Sequence, residues 1–448
     1  MNRSTTASWL KVMAGAATLS LALTACGSDS DDGDTDAGSE SSESPTSETV
    51  TYTNDECSGD TTSADTFKVG GILPLTGNLA YLGPPEIAGV GLAVSEINEA
   101  GGVGGADACH FVEDSGDSTD MSISTAAAQT MVAEKPSVVV GAASSSVSLN
   151  FVDTLTDNKI VQISPANTAL DLSGYSDFYF RTAPPDTIQG NALGNLIAQD
   201  GHQRLAFLVF NDTYGTGLRN AVEQTFTDAG GEVVYGGKGD GDEFPAGQTT
   251  FSSEVTAALN SSPDAIVILA FDETKAIVPE LAQQGWDMSK IYMTDGNTAD
   301  YTKDFEAGTL EGAQGTIPGG DTAQEFKDKL VAWYDQAENE TLTDFAYGAE
   351  SYDAVMLAAL AAVKGGDTTP TTIQKNLPAV SGATDGEECT TYADCVELLD
   401  AGEEIKYTGP SGIGPINKDN DPSSAFVGIY SFNGDNKNER TGTVEGKI

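Results

Sequence analysis

Leu205-Ala206-Phe207-Leu208-Val209-Phe210 runs directly into Asn211-Asp212-Thr213-Tyr214-Gly215. The unbroken apolar run is what a strand buried on both faces requires. Turn-forming residues follow, and a segment of helical period extends from about Gly217 to Ala229. A strand that ends in a polar turn and passes the chain to a helix is half of a βαβ unit, the building block of parallel sheets.

The same pattern recurs on both sides of this stretch. Toward the N-terminus, Phe67 to Leu73 and Ser137 to Val140 read as strands, and Ile160 to Ile163 as another. Ile87, Val90, Gly91, Val94 and Ile97 mark one face of a helix that stops at Gly101-Gly102, and a second helix spans about Val147 to Asp157. Toward the C-terminus, Ala265 to Ala270 and Ile291 to Thr294 read as strands around a helix from about Glu273 to Gly285. There are too many units for one sheet, which predicts an α/β protein of two Rossmann-like parallel-sheet lobes. In such sheets ligands bind beyond the carboxyl ends of the strands. Those ends run into Gly141 to Ser146, Ser164-Pro165-Ala166-Asn167-Thr168, Asp212-Thr213-Tyr214-Gly215, Phe271-Asp272-Glu273 and Asp295-Gly296-Asn297.

The chain has 448 residues, room for two or three domains, and 39% of them are hydrophobic. Lys and Arg total 21 against 68 Asp and Glu, a net charge of -47. Such a surface repels nucleic acid and anionic headgroups and names no partner. Arg3 and Lys11 flank an apolar run, Val12 to Ala25, too short and weak to span a bilayer as a permanent helix. It closes on Leu23-Thr24-Ala25-Cys26, the pattern of a bacterial lipoprotein signal. The expectation is a signal peptide over 1–25, cleavage before a lipidated Cys26, and a flexible tether over 26–66. That would place the body on the extracytoplasmic face of the cell membrane. An ordinary secreted protein with a chance Cys is the plainer alternative. The acidic residues Asp29, Asp31, Asp32 and Asp34 lack the Gly and Glu spacing of a calcium loop, so no metal is expected there. Of five Cys, four remain beside Cys26. The favoured pairs are Cys57–Cys109 and Cys389–Cys395, among three pairings that four Cys allow. Free buried thiols are the alternative.

At the strand ends the chain resembles the type I periplasmic binding proteins, and more narrowly the leucine/isoleucine/valine-binding receptors of ABC importers. The resemblance rests on Gly70-Gly71-Ile72-Leu73-Pro74-Leu75-Thr76-Gly77 and on Ala93-Val94-Ser95-Glu96-Ile97-Asn98 with Gly101-Gly102-Val103. It also rests on Gly141 to Ser146, Ser164 to Thr168, Asp212 to Gly215 and Tyr352-Asp353-Ala354. It implies two lobes joined by a three-segment hinge near Asp186, Pro318 and Asn420. The first lobe would combine 67–186 with 319–420, and the second 187–318 with 421–448.

It implies further that a small ligand, an amino acid of branched-chain or apolar kind, is held in the cleft for an ABC transporter permease, with no cofactor. Ser144, Ser145, Ala166 and Thr168 would meet the ligand carboxylate through hydroxyl and main-chain N–H groups. Capping of a helix by the serines is the competing explanation. Asp295 would meet the ammonium where the family has Glu, one methylene longer; a turn residue in Asp-Gly is the alternative. Tyr214, Phe271, Tyr81 and Tyr347 would form the apolar wall, against plain core packing. Phe271 stands where a leucine receptor has Tyr, and Tyr81 is one residue out of register. Residues 381–413 depart from the pattern and read as an acidic surface loop clipped by Cys389 and Cys395. Another small solute, such as an amide, a urea-like compound or an aromatic acid, and a ligand-sensing module for a membrane signalling protein are the alternatives to amino-acid import.

The chain offers little to an enzyme. His110 and His202 read as ordinary surface or edge residues. No His-Glu-x-x-His, Gly-x-Ser-x-Gly or phosphate-loop motif is present. Gly102-Val103-Gly104-Gly105 follows a helix rather than a strand, so it is not a dinucleotide turn.

Overall fold

In the computed structural model, which describes residues 51–59, 63 and 65–447, the chain first builds a parallel sheet. Its elements are β1 (Phe67–Leu73), α1 (Gly83–Glu99), β2 (Ala108–Asp114), α2 (Met121–Glu134), β3 (Val138–Gly141), α3 (Ser145–Asp157), β4 (Gln162–Ser164) and β5 (Tyr179–Arg181). Strand order is β2-β1-β3-β4-β5, every pair parallel. The leader, Cys26 and most of the tether lie outside the described residues.

The second sheet begins after α4 (Asp186–Gln199). It takes up β6 (Arg204–Val209), α5 (Thr213–Asp228), β7 (Glu232–Tyr235), α6 (Ser252–Asn260), β8 (Ala265–Leu269), α7 (Thr274–Gln283), β9 (Ile291–Met293) and β10 (Gln314–Pro318). The chain then returns to the first sheet's side with α8 (Gln324–Glu338), α9 (Gly348–Gly365) and α10 (Pro370–Val380), followed by β11 (Glu387–Cys389), α11 (Tyr392–Asp400) and β12 (Ile405–Tyr407). A final hairpin, β13 (Ser424–Phe432) and β14 (Asn438–Lys447), completes the second sheet in the order β14-β13-β10-β9-β8-β6-β7. The strands β6 to β10 pair in parallel, and β13 joins β10 antiparallel.

The apolar runs form these strands because both sheet faces are covered. Val138, Val139 and Val140 are fully buried, as are Leu205, Ala206 and Phe207. Burial of each such large side chain contributes on the order of 1.5–3 kcal/mol. Several helices start at side-chain caps: Asp120 accepts from Ser122 N, Ser144 from Val147 N and Asp212 from Tyr214 N. On α1, Gly91 permits close packing, since a Cβ there would lie 1.8 Å from the Trp333 ring. Each lobe has its own core, one around α1, α8 and α9 and one around β6, β8 and α5.

Both disulfides form as paired above, Cys57–Cys109 with Cα atoms 4.9 Å apart and Cys389–Cys395 with 5.3 Å. The first fastens the chain before β1 to the edge strand β2, where Glu56 bridges to His110 and Trp333 Nε1 donates to Thr53 O at 3.3 Å. His110 is therefore not a surface residue. It is buried, its ring 5.8 Å from Trp333, and burial lowers its pKa. The segment 381–413 is also more than a surface loop. Its β11, α11 and β12 send Tyr392, Cys395, Ile405 and Tyr407 into the first core, and Tyr407 OH donates to Asp353 Oδ1 at 2.7 Å.

Candidate ligand-binding site

The carboxyl ends of β3 and β4 in one lobe face the segments after β6, β8 and β9 in the other, and a narrow space lies between. On the first side its walls are Leu79, Leu82, Ala143, Ser144, Ser145 and Ala166. Tyr214, Phe271, Asp295 and Gly296 close it from the second side, and Tyr347 from the start of α9.

The first wall is a frame of small residues tied to backbone. Ser144 Oγ accepts from Val147 N at 3.5 Å, so it does cap α3 as the plainer reading holds, and that helix points its N-terminus into the space. Ser145 Oγ accepts from Ala169 N at 3.3 Å. Ser164 Oγ donates to Ala142 O at 2.7 Å, while Asn167 Nδ2 donates to Ala142 O at 3.0 Å and Ala143 O at 2.8 Å. Arg181, fully buried, donates to the carbonyls of Asn167 at 3.1 Å and Ala169 at 3.0 Å and pairs with Asp421 at 2.6 Å. The loop carrying Ala166 and Thr168 is thereby held from below. Removing one member of such a buried pair costs about 3–5 kcal/mol, because the other charge is left without a partner.

The second wall is an aromatic group around one acid. Asp295 is 5% exposed. Its Oδ1 accepts from Tyr214 OH at 2.7 Å, its Oδ2 from Tyr347 OH at 2.6 Å, and its main-chain oxygen from Tyr81 OH at 3.0 Å. Phe271 stacks on Tyr214 with ring centroids 5.5 Å apart and planes at 15°. Burial raises the Asp295 carboxyl above its ordinary pKa, against the lowering effect of the Tyr347 and Tyr214 hydroxyls. Burial, and then Asp295 itself, holds both of those phenols well above theirs, so they act as donors. Tyr347 adopts φ +60°, a left-handed conformation costly for a bulky residue by about 1–2 kcal/mol. In that pose its hydroxyl reaches Asp295. Across the lobes, Ser146 Oγ also donates to Asp212 Oδ2 at 2.6 Å.

Of the residues singled out in the sequence, Ser144, Ser145, Ala166, Tyr214, Phe271 and Asp295 share this space. Thr168 lies behind it, fully buried, its Oγ1 without a hydrogen-bond partner. Tyr81 lines an adjoining opening with Asp272, Lys275 and Tyr301, reaching the site only through its hydroxyl. Leu79 and Leu82 take the apolar role on that side, on the loop after β1. Asn167, Arg181 and Asp421 escaped the sequence reading. The only available signal was a lone Arg after the apolar pair Tyr179-Phe180. Among the described residues no group of His, Cys, Asp and Glu is arranged to hold a metal, and no helix is long and apolar enough to cross a membrane.

A family model described as periplasmic binding protein matches residues 66–394. The leucine-, isoleucine-, valine-, threonine-, and alanine-binding protein of Pseudomonas aeruginosa is 26% identical over 321 residues, 71% of this chain and 83% of that protein. The chemotactic signal transduction system substrate-binding protein BasB of Halobacterium salinarum is 25% identical over 77% of this chain and 82% of its own. Among solved structures, the branched-chain amino acid transporter substrate-binding protein LivJ of Streptococcus pneumoniae, in complex with isoleucine, has a TM-score of 0.68 at 22% identity. It covers 86% of this chain and 100% of its own. A solute-binding protein of Rhodopseudomonas palustris in complex with 4-hydroxybenzoate has a TM-score of 0.67 at 18% identity, covering 86% and 98%. The chain belongs to the periplasmic binding protein family, whose members are substrate-binding proteins.

Proposed function

We propose that this periplasmic binding protein is an extracytoplasmic lipoprotein, anchored through Cys26, that captures an apolar or branched-chain amino acid for an ABC importer. The observation that carries this reading is the placement of Asp295, a buried acid braced by two tyrosine hydroxyls, opposite the N-terminus of α3 and the Ser144–Ser145–Ala166 frame. A zwitterion needs both poles met: its carboxylate by hydroxyl and helix-terminal donors, its ammonium by an acid. Leu79, Leu82, Tyr214 and Phe271 supply the apolar surround for its side chain. The names of the Pseudomonas and Streptococcus relatives support the same ligand class.

The lobes would shut on the ligand by hinge motion, with crossings near Asp186, Pro318 and Asn420. Sheet membership supports this partition, since β5 closes the first sheet at Arg181, while β10 ends at Pro318 and β13 begins at Ser424 in the second. Thr182 Oγ1 donates to Glu350 O at 2.8 Å, and Arg440 of β14 donates to Gly320 O at 2.7 Å and Gly319 O at 2.9 Å. A sensory role is the second reading, favoured by the likeness to a chemotactic binding protein. Deleting the gene separates the two: import predicts lost uptake of the ligand, sensing predicts intact uptake with lost response. Thermal unfolding of the soluble body against a panel of amino acids, amides and aromatic acids tests the ligand class. A ligand at 100 times its Kd raises stability by about 2.7 kcal/mol. An aromatic acid shifting the melting temperature where no amino acid does would contradict the proposal.

A further inference from the structure

Behind the ligand space lies a second acid. Asp186 opens α4, where the chain enters the second lobe, and is fully buried. Its backbone N–H donates to Thr168 O at 2.7 Å, which seats it beside Thr168. Neither of its carboxylate oxygens has a hydrogen-bond partner, and neither does Thr168 Oγ1 or Gln189 Oε1. Gln189 sits one helical turn on and acts on Asp295, while its amide nitrogen is spent on Thr316 O at 3.1 Å. From α5, Gly217 leaves the room for this acid, since a Cβ there would lie 2.7 Å from Asp186 Oδ2. Arg181 does not bond to Asp186; its donors go to Asp421, Ser173 and the carbonyls of Asn167 and Ala169. The Asp186 carboxylate and Gln189 Oε1 thus lie buried with the Thr168 hydroxyl as the one nearby donor that acts on Asp186, and a buried acceptor short of donors is destabilising.

We propose that Asp186 is a second acidic contact for the positive end of the ligand, so that a bound ammonium lies between Asp295 and the Asp186–Thr168–Gln189 corner. This rests on the amino-acid reading of the same site. An ammonium carries three N–H donors, the group these acceptors lack. The geometry also implies a proton exchange. Burial pushes the Asp186 carboxyl up to about 7; nearby Thr168 lowers it, Asp295 raises it, Arg181 lowers it and Asp171 raises it. Near neutral pH the empty corner therefore carries a proton part of the time. An arriving ammonium favours the carboxylate, and that proton leaves to solvent. Affinity for an amine should then weaken as pH falls below about 7.

The test is calorimetric titration of the intact soluble body with leucine, isoleucine, valine and alanine, at pH 7 in phosphate and in Tris, and again at pH 5.5. Buffer-dependent heat from proton release is expected, with affinity about tenfold weaker at pH 5.5. Asp186→Asn should weaken binding at least tenfold and abolish both the buffer dependence and the pH slope. Unchanged affinity and an unchanged pH slope in that variant would overturn the assignment of Asp186 while leaving the receptor reading intact. Wild-type protein that binds none of the four amino acids would overturn the amino-acid reading, and this inference with it. Should the variant fail to fold, heats in wild-type protein that do not differ between the two buffers overturn the inference on their own.

Discussion

The two walls of the cleft solve recognition differently. The first is built of Ser, Ala and Asn whose polar groups are tied to neighbouring backbone and pinned from beneath by Arg181 and Asp421. The second gathers Tyr214, Phe271 and Tyr347 around Asp295, and its key bonds are side chain to side chain, from Tyr214 within the second lobe and from Tyr347 across to it. A frame of the first kind is fixed before a ligand arrives. A wall of the second kind can exchange partners, because a tyrosine hydroxyl bonded to the acid can turn if an ammonium takes its place. On the proposed reading, the first wall would set where the ligand sits and the second what it must carry.

That contrast can be broken at its stiff end first. Asp421→Ala strands Arg181 and should destabilise the protein by about 3–5 kcal/mol in denaturant unfolding. The loss should be nearly the same with or without ligand, as expected of a frame rather than a contact. On the other wall, Asp295→Ala removes the acceptor of two buried phenols and, beyond its cost to stability, should weaken binding of amines roughly a hundredfold, about 2.7 kcal/mol. Calorimetry with leucine checks it, and an unchanged affinity would refute the ammonium role.

Next is pH. Glu350 is pushed up to about 8 by burial, and it lies against the crossing at Gly319. Its folded-state pKa lies above the unfolded value, so its stabilising effect is full below about pH 4 and fades as pH rises through about 8. The empty protein should melt at higher temperature at pH 5.5 than at pH 8.5, and Glu350→Gln should flatten that difference by about 1–2 kcal/mol. The smallest effect belongs to Tyr347→Phe, which removes one donor from Asp295. It should weaken binding by less than tenfold, about 1 kcal/mol, and a larger loss would mean that the hydroxyl touches ligand directly.

Much of this was legible in the sequence where a single element carried the signal. β1, β6, β8 and β9 announce themselves as apolar runs, and Ser144 announces a helix by capping, whereas Asp212 read as a turn and its helix as starting near Gly217 in place of Thr213. Other elements hid their nature. β2 carries His110, buried against Trp333 beside the Cys57–Cys109 disulfide, and ends in the half-buried Glu113 and Asp114. β14, with Arg440, Thr441, Gly442 and Thr443, is a sheet edge facing water on one side and has no apolar run to reveal it. Residues 381–413 read as a loop although Tyr392, Cys395, Val396 and Leu399 recur at helical spacing along α11, while Ile405 and Tyr407 lie in a strand of three residues, too short to show a period. At the site, strand ends pointed to Ser144, Ala166 and Asp295. Leu79 and Leu82 were missed because the direction of the loop after β1 is decided by tertiary packing; Thr168 was named for the ligand carboxylate, Asp186 only as a hinge crossing, and Gln189 not at all.

The measurement that bears most directly on the opposed poles of this cleft compares leucine with 4-methylpentanoate, the same molecule without its amine, by calorimetry on the wild-type soluble body. A ligand grasped at both ends should bind at least a hundredfold more tightly than its amine-free counterpart. Equal affinities would contradict a site organised around Asp295 and would leave the carboxylate frame as the whole of recognition.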